Sequence, residues 1–269
     1  MTKKTRVLVV DDSAYNRRTI IRLLETIPGV EVVGYACNGE EGLRKFFDLQ
    51  PDLVTLDLEM PRLDGFAFLR IVMQNRPTPI IVVSARADND SVFKALEFGA
   101  VDFVAKPTSK ISPDLANIRD DLVTKVLDAS SADMGKIIKR AADNSGADSS
   151  VTPFENILRR RGGKQINQVV IGASTGGPPA LQALLSAINS PLPIGIAISQ
   201  HMPPVFTKAF AERLNKFCAL EVTEAKSGDL MQPGRVLVSP GGKNLSFQLR
   251  GNGVSVFVSD PPVSQRYTP

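Results

Sequence analysis

Cysteine, histidine and long hydrophobic runs are all scarce in this sequence. Its 269 residues contain two cysteines and one histidine. Cys37 and Cys218 fall in what we predict to be separate domains, which favours a reduced, cytoplasmic chain over a disulfide-bonded, secreted one. No window approaches the ~18 consecutive apolar residues of a membrane-spanning helix. The basic start MTKKTRVLVVDDS turns acidic after a short apolar run, so it does not predict a signal peptide.

A strong excess of either charge is also absent. The chain has 32 Lys and Arg residues against 28 Asp and Glu residues, a formal net charge of +4. This small surplus does not predict a nucleic-acid surface. The second half of the chain lacks the compact helix-turn-helix pattern of a transcription factor. What is present is enough apolar sequence, 43% of the residues, to give two domains a core each.

Short apolar segments alternate with helical patterns in the first half of the chain. The segments that predict strands are RVLVV (6–10), EVVGYA (31–36), LVTL (53–56), IIVVS (80–84) and DFVAK (102–106). Alternation at this spacing indicates βαβ units, and therefore a parallel sheet with helices on both faces. In such a sheet, ligands bind beyond the carboxyl ends of the strands.

Polar residues suited to phosphoryl chemistry stand at those carboxyl ends. They are Asp11, Asp12, Asp57, Ser84 and Lys106. Three carboxylates close together repel one another unless a cation lies among them, and a site built from oxygen ligands suits Mg²⁺. A lysine and a hydroxyl at the same edge can neutralise and hydrogen-bond an incoming phosphoryl group.

The segments VVDDS, TLDLEMPRLDG, VSA and GAVDFVAKP resemble the receiver domain of two-component response regulators. The resemblance implies a flavodoxin-like fold and a histidine kinase that phosphorylates Asp57. It also implies that the three carboxylates hold Mg²⁺. Ser84 and Phe103 match the hydroxyl and aromatic switch positions of that family, and Lys106 matches the lysine that contacts the acyl phosphate.

A segment of different composition separates the two halves. Residues 129–165 are rich in Ser, Ala, Asp, Gly and charge, and they predict a mobile linker with short helices around 134–142 and 154–160. We therefore predict a receiver domain at 1–128 and a second domain at 166–269.

The second domain opens with a strand pattern, QVVIGAS (168–174), followed by a glycine-rich turn. A P-loop requires lysine where Pro178 stands, and a dinucleotide-binding turn requires glycine where Ser174 stands. The string from Gly172 to Gly176 does satisfy G-x-S-x-G, in which a sharp turn presents a serine at a helix N-terminus. A structural turn in which Ser174 caps the helix fits the string equally well.

The histidine favours the catalytic interpretation of this turn. His201 follows the next predicted strand, PIGIAISQ (193–200), one βαβ crossover from Ser174 and at the same edge of the sheet. A histidine there can take the serine proton and return it to a leaving group. The pair favours a serine hydrolase, although the chain order argues against an ordinary α/β-hydrolase, whose histidine comes late and follows the acid.

The segments IGASTGGPPALQALL, SQHMPPVFTKAFAERL and PGRVLVSPGGKNL resemble the effector domain of the chemotaxis protein-glutamate methylesterases, the CheB family. The resemblance implies two doubly wound parallel-sheet α/β domains, the second a three-layer αβα hydrolase domain. It implies hydrolysis of γ-glutamyl methyl esters, and often deamidation of glutamines, on the cytoplasmic helices of chemoreceptors. Ser174 would be the nucleophile, His201 the general base and acid, and Thr175 part of the active-site motif. No cofactor is expected at the esterase site.

The acid expected to orient the histidine has no match in the sequence. In the family an Asp follows a segment resembling DPPVSQRYTP, so we expect the C-terminal part of this domain to continue beyond Pro269. Asp229 and Asp260 do not stand in that motif. The segment GGKNL also lacks a histidine that many relatives carry near Asn244. A response regulator that binds a receptor or a kinase through an inactive effector domain is therefore the second interpretation.

Overall fold

A computed structural model of the chain describes residues 4–84, 89–106, 114–131, 167–190, 192–251, 253–262 and 265. Of the predicted linker, only residues 129–131 belong to the described part, and they are helical. The short helices predicted around 134–142 and 154–160 lie outside the described residues.

The first domain alternates strands and helices from its beginning. The strands are β1 (Thr5–Val10), β2 (Val30–Ala36), β3 (Leu53–Asp57), β4 (Ile80–Ser84) and β5 (Asp102–Ala105). The helices are α1 (Ala14–Glu25), α2 (Gly39–Leu49), α3 (Gly65–Asn75), α4 (Asn89–Glu97) and α5 (Asp114–Ser131). All five predicted strands are confirmed. They form a parallel sheet in the order β2-β1-β3-β4-β5.

The strands of this sheet are buried on both faces. In β1, Val7 and Val9 pack into one apolar cluster, while Leu8 and Val10 pack into another on the opposite face. Such strands read as continuous apolar runs, because helices cover both sides of the sheet. Polar groups are therefore concentrated where the strands end.

The second domain contains a four-stranded parallel sheet and a β-hairpin. Its elements are β6 (Gln168–Ala173), α6 (Gly177–Ser186), β7 (Gly195–Gln200), α7 (Pro204–Phe217), β8 (Glu221–Glu224), β9 (Arg235–Val238), β10 (Asn244–Arg250) and β11 (Gly253–Ser259). The parallel sheet has the order β6-β7-β9-β8, and β10 pairs with β11 in antiparallel fashion.

The two faces of the second sheet are covered differently. Ile196 and Ile198 of β7 share an apolar cluster with residues of α6 and α7. Ala197 and Leu237 face the other way and pack with Val256 of the hairpin. In the described part, helices therefore cover one face of this sheet and the hairpin covers the other.

The receiver and the second domain share one apolar cluster. The ring of Phe93 in α4 stacks on that of Phe210 in α7, with centroids 5.8 Å apart. The ring centroids of Phe103 in β5 and Phe206 in α7 are 4.5 Å apart. Arg213 of α7 also pairs with Glu97 of α4. The contact joins the edge of the receiver formed by α4 and β5 to the helix that begins just after His201.

A buried lysine joins α5 to β5 beneath this contact. Lys125 is 1% exposed. Its Nζ atom lies 3.2 Å from an oxygen of Asp102 and 3.1 Å from an oxygen of Asp121, and it donates to the backbone oxygen of Phe103 at 2.6 Å. Burial disfavours the ammonium ion, but the two carboxylates outweigh burial and raise the pKa of Lys125. Lys125 is therefore a charged group that fixes the strand carrying Phe103.

Replacing Lys125 with methionine should lower the free energy of unfolding by about 3–5 kcal/mol, because it leaves the buried Asp102 carboxylate without its cation. Urea unfolding followed by circular dichroism measures the change. The matched control is Lys208→Met, since Lys208 is exposed and its contact with Glu212 is long, at 3.9 Å; that change should cost less than ~1 kcal/mol. Equal effects of the two substitutions would contradict a structural role for the buried lysine.

Candidate functional site

Three carboxylates meet at the carboxyl edge of the receiver sheet. Asp57 is the last residue of β3, and Asp11 and Asp12 directly follow β1. The two strands are neighbours, with Val10 opposite Leu56. One carboxylate oxygen from each of the three residues lies within 4.8 Å of the other two. The predicted acidic site is therefore assembled by strand pairing.

The electrostatics of this cluster favour a bound cation. Burial, followed by the charge on Asp57, raises the pKa of Asp11 to about 7. Burial also raises the pKa of Asp57. The Oδ2 atom of Asp11 is buried and has no hydrogen-bond partner among the described residues. A buried oxygen without a partner, beside two further carboxylates, fits a hard cation such as Mg²⁺.

Two of the other predicted receiver residues, Ser84 and Lys106, lie at the same edge, and the third, Phe103, lies within β5. Lys106 forms a 2.7 Å ion pair with the Oδ2 atom of Asp57, and its backbone N–H donates to the carbonyl of Ser84 at 2.7 Å. Ser84 is buried at the end of β4, next to β3. Phe103 is buried too, with its ring against Phe206 of α7. The predicted aromatic switch position is thus in direct contact with the second domain.

Ser174 and His201 follow two neighbouring parallel strands. Ala173 of β6 is opposite Gln200 of β7. The N–H of His201 donates to the carbonyl of Ala173 at 3.0 Å. Both residues are partly exposed, and their side chains form no hydrogen bond with each other. The predicted pair is thus brought to one edge of the sheet, and both residues are partly exposed.

The structure excludes one of the two interpretations of the glycine turn. The N-cap of α6 is Gly176, and no side chain makes the capping hydrogen bond. The interpretation in which Ser174 caps the helix is therefore wrong. Gly176 has a φ of 74°, a left-handed conformation that favours glycine. The turn thus leaves the serine hydroxyl available for other chemistry.

The first turn of α6 restricts which backbone groups could bind an oxyanion. Pro178 and Pro179 have no N–H group, and the N–H of Gly177 donates to the carbonyl of Ser174 at 2.8 Å. The backbone N–H groups of Thr175 and Gly176 donate to no described residue. They are the backbone donors that this turn offers beside the serine hydroxyl.

The acids considered from the sequence bond to residues other than His201. Asp229 accepts hydrogen bonds from Lys226 and Arg235, and Asp260 pairs with Lys243. The carboxylate that does reach the serine turn is one that sequence reasoning missed. Asp128 of α5, in the receiver, accepts a 3.0 Å hydrogen bond from the Oγ1 atom of Thr175. No sequence motif pointed to it, because this contact depends on how the two domains pack.

Known proteins resemble the chain across both domains. The response regulator receiver domain family matches residues 7–113, and the CheB methylesterase family matches residues 169–269. A protein-glutamate methylesterase/protein-glutamine glutaminase 3 of Geobacter sulfurreducens is 48% identical over 280 residues, which cover 99% of this chain and 76% of the relative. A protein of the same type from Myxococcus xanthus is 45% identical over 264 residues, 98% of this chain and 72% of the relative.

A solved structure also matches the first domain. The response regulator domain of Thermotoga maritima CheB is 38% identical, with a TM-score of 0.45. The match covers 49% of this chain and 99% of that one. As a separate finding, none of the described helices is long and apolar enough to cross a membrane.

Asp11→Asn should raise the melting temperature in the absence of divalent cations, because it removes a buried carboxylate that burial and Asp57 destabilise. The same change should reduce the further rise that Mg²⁺ produces, since one ligand is lost. Differential scanning calorimetry at pH 8, with and without Mg²⁺, measures both effects. The exposed Asp48→Asn is the matched control. An undiminished response of Asp11→Asn to Mg²⁺ would show that Asp11 is not a ligand.

Proposed function

The chain belongs to the CheB family of protein-glutamate methylesterases/protein-glutamine glutaminases, with a response regulator receiver domain, and we propose that it demethylates chemoreceptors when its receiver is phosphorylated. The substrates are γ-glutamyl methyl esters on receptor cytoplasmic helices, and receptor glutamines for the deamidase activity. The observation that carries the proposal is the pairing of β6 with β7, which brings Ser174 and His201 to one edge while the serine is free of any capping role.

Ser174 and His201 share the hydrolytic chemistry. The Oγ atom of Ser174 attacks the ester carbonyl while His201 accepts its proton. The backbone N–H groups of Thr175 and Gly176 stabilise the oxyanion of the tetrahedral intermediate. Collapse of that intermediate breaks the ester C–O bond, and His201 returns the proton to the departing methoxide, which leaves as methanol. Water, deprotonated by His201, then hydrolyses the acyl-enzyme to a glutamate carboxylate and regenerates Ser174.

Asp57 accepts the phosphoryl group in the receiver. Asp11, Asp12 and Asp57 would hold Mg²⁺, which neutralises negative charge on the phosphoryl oxygens when it is bound. Lys106, now paired with Asp57, supplies a further positive charge for those oxygens. The kinase of the chemotaxis system is the proposed phosphodonor.

The contact between the domains supports a gating role for the receiver. Asp128 accepts a hydrogen bond from the hydroxyl of Thr175, the residue after the proposed nucleophile. In addition, α4 and β5 pack on α7. Phosphorylation replaces the carboxylate of Asp57, with a charge of −1, by an acyl phosphate with a charge of nearly −2 and three further acceptor oxygens. In the proposed switch, Ser84 and Phe103 rearrange in response, the contact with Phe206 weakens, and the serine turn opens to the receptor.

A second candidate function is phosphorylation-dependent binding without turnover. The observation in its favour is that no carboxylate among the described residues bonds to the imidazole of His201. An imidazole without an acid partner loses much of its catalytic power, and removing the acid of a Ser-His-Asp triad costs about 10⁴-fold in kcat. The two functions differ in whether methanol is released.

Methanol release from a methylated receptor cytoplasmic fragment tests the proposal. The measurement compares this chain, its Ser174→Ala variant, and a version extended through the acidic segment that the family carries after DPPVSQRYTP, each with and without a small-molecule phosphodonor. Release that requires Ser174 and rises with phosphodonor is expected. If the extended, phosphorylated version binds the fragment but releases no more methanol than its Ser174→Ala variant, the binding function replaces the enzymatic one.

Asp57→Asn should abolish the response to phosphodonor, because the amide cannot accept a phosphoryl group, and should leave basal methanol release and Ser174 chemistry intact. Release rates with and without phosphodonor measure the effect. A full response of the Asn variant to the phosphodonor would contradict the role of Asp57.

Glu97→Lys should raise methanol release by the unphosphorylated protein about twofold to fivefold, because it repels Arg213 and removes an ion pair worth at most ~1 kcal/mol. Arg213→Glu alone should act in the same direction. The double variant restores the pair with reversed charges and should return the basal rate to that of the wild type. Unaltered basal rates in both single variants would contradict gating through this contact.

A further inference from the structure

We propose that Gln200 is a positioning residue for catalysis, whose side-chain amide ties the backbone of the nucleophile to the backbone of the general base. This inference rests on the proposed roles of Ser174 and His201. Gln200 is the last residue of β7 and is 1% exposed. Its Nε2 atom donates to the carbonyl of Ser174 at 3.0 Å and to the carbonyl of His201 at 3.0 Å.

The two hydrogen bonds use the full donor capacity of the amide. A glutamine NH₂ group has two N–H donors, and here each one has a backbone acceptor. The two acceptors belong to the two residues that must cooperate in proton transfer. The pairing of β6 with β7 already joins the strands as far as the bond from His201 N–H to the carbonyl of Ala173. The amide therefore connects the two chain segments just beyond the paired strands, at the residues proposed to react.

The arrangement has a cost that core packing does not explain. The Oε1 atom of Gln200 is buried and has no hydrogen-bond partner among the described residues. Buried polar groups without partners are rare in proteins, because they cost free energy. An apolar side chain at this position would avoid that cost. What glutamine adds is the link between the two carbonyls.

Gly177 makes room for this amide. A Cβ atom at Gly177 would lie 1.9 Å from Oε1 and 2.8 Å from Cδ of Gln200. No side chain fits there while the amide keeps its position. The two neighbouring glycines therefore have different roles. Gly176 makes the sharp turn, and Gly177 leaves space for the side-chain amide of Gln200.

The chemical consequence is a fixed spacing between hydroxyl and imidazole. Proton transfer needs the two groups within hydrogen-bond reach, and a displacement of 1 Å can cost about 10²-fold in rate. Because the side chains of Ser174 and His201 are partly exposed, packing alone does not fix their positions. A link between their backbones supplies part of this constraint without touching the substrate.

The test compares Gln200→Met, which keeps the side-chain length and removes both donors, with the exposed Gln248→Met as the matched control. It measures kcat and KM for methanol release, and the rate at which a fluorophosphonate labels Ser174, in the chain and in its extended form. Gln200→Met should lower kcat and labelling about tenfold or more while KM stays within twofold. Phosphorylation of Asp57 should be unchanged, and Gln248→Met should behave as the wild type.

Gly177→Ala separates positioning from a general structural effect. It should lower kcat in the Gln200 protein, because the new methyl group displaces the amide. It should have a much smaller effect in a Gln200→Ala background, where the amide is gone and the closest remaining neighbour of the new methyl group is the Cβ atom of Ala173, at 3.0 Å. If Gly177→Ala is equally harmful in both backgrounds, the amide has no positioning role.

Two other results would also overturn the inference, and they differ from each other. If Gln200→Met keeps kcat and labelling within twofold of the wild type, Gln200 is not a positioning residue, while the proposed function stands. If Ser174→Ala releases methanol as fast as the wild type, the proposed function fails and the inference fails with it.

Discussion

Parallel pairing between neighbouring strands carries both candidate sites, because it brings residues that are distant in sequence to one edge of a sheet. In the receiver, β1 and β3 bring together Asp11 and Asp57, which are 46 positions apart (57 minus 11). In the second domain, β6 and β7 do the same for Ser174 and His201. The strands are largely apolar, so the ends of the strands are where polar chemistry is tolerated at low cost.

The same constraint explains why the environments of the two sites differ. Asp11 and Asp57 are buried, which raises the pKa of both carboxyl groups, and one oxygen of Asp11 has no hydrogen-bond partner among the described residues. That environment favours a cation and a transferred phosphoryl group. Ser174 and His201 are more exposed, which suits their proposed reaction with an ester on another protein. The two candidate sites of this chain therefore differ in burial, as the proposed phosphoryl transfer and ester hydrolysis require.

Much of this organisation could be predicted from local sequence. The strands of both domains follow from short apolar runs, and the polar residues that end them follow from the topology of a parallel sheet. The capping interpretation of Ser174 was wrong because the turn continues for two more residues, to Gly176, before the helix begins. The hairpin layer over the second sheet was not anticipated either, since its strand patterns do not show which face they cover.

The residues missed from the sequence are those whose roles depend on long-range contacts. Asp128 reaches Thr175 across 47 positions and between two domains. Gln200 looks like an ordinary strand residue until the neighbouring strand brings the carbonyl of Ser174 to its amide. Neither belongs to a spacing pattern with a physical meaning of its own. Side-chain bridges between separate elements require coordinates, whereas strand ends and glycine turns do not.

A switch between two states limits how much the contact between the domains can contribute to stability. Moving a two-state equilibrium from 1:99 to 99:1 requires ~5.5 kcal/mol. The ion pair between Arg213 and Glu97 is partly exposed and contributes less than ~1 kcal/mol. An aromatic pair such as Phe103 with Phe206 adds about 0.5–1.5 kcal/mol beyond its buried area. Contacts of this size can be overcome by a phosphorylation event.

In the proposed switch, Phe103 is the residue that couples the receiver to the second domain. Its ring contacts that of Phe206, and the ammonium group of Lys125 lies 4.9 Å from the ring centroid. It is also the one residue of the contact that lies on a strand adjoining Ser84 and leading to Lys106. In the proposed switch, a change in the partner of Lys106 at Asp57 would reach the second domain through this short strand. The remaining contacts between the domains would then set how stable the unphosphorylated arrangement is.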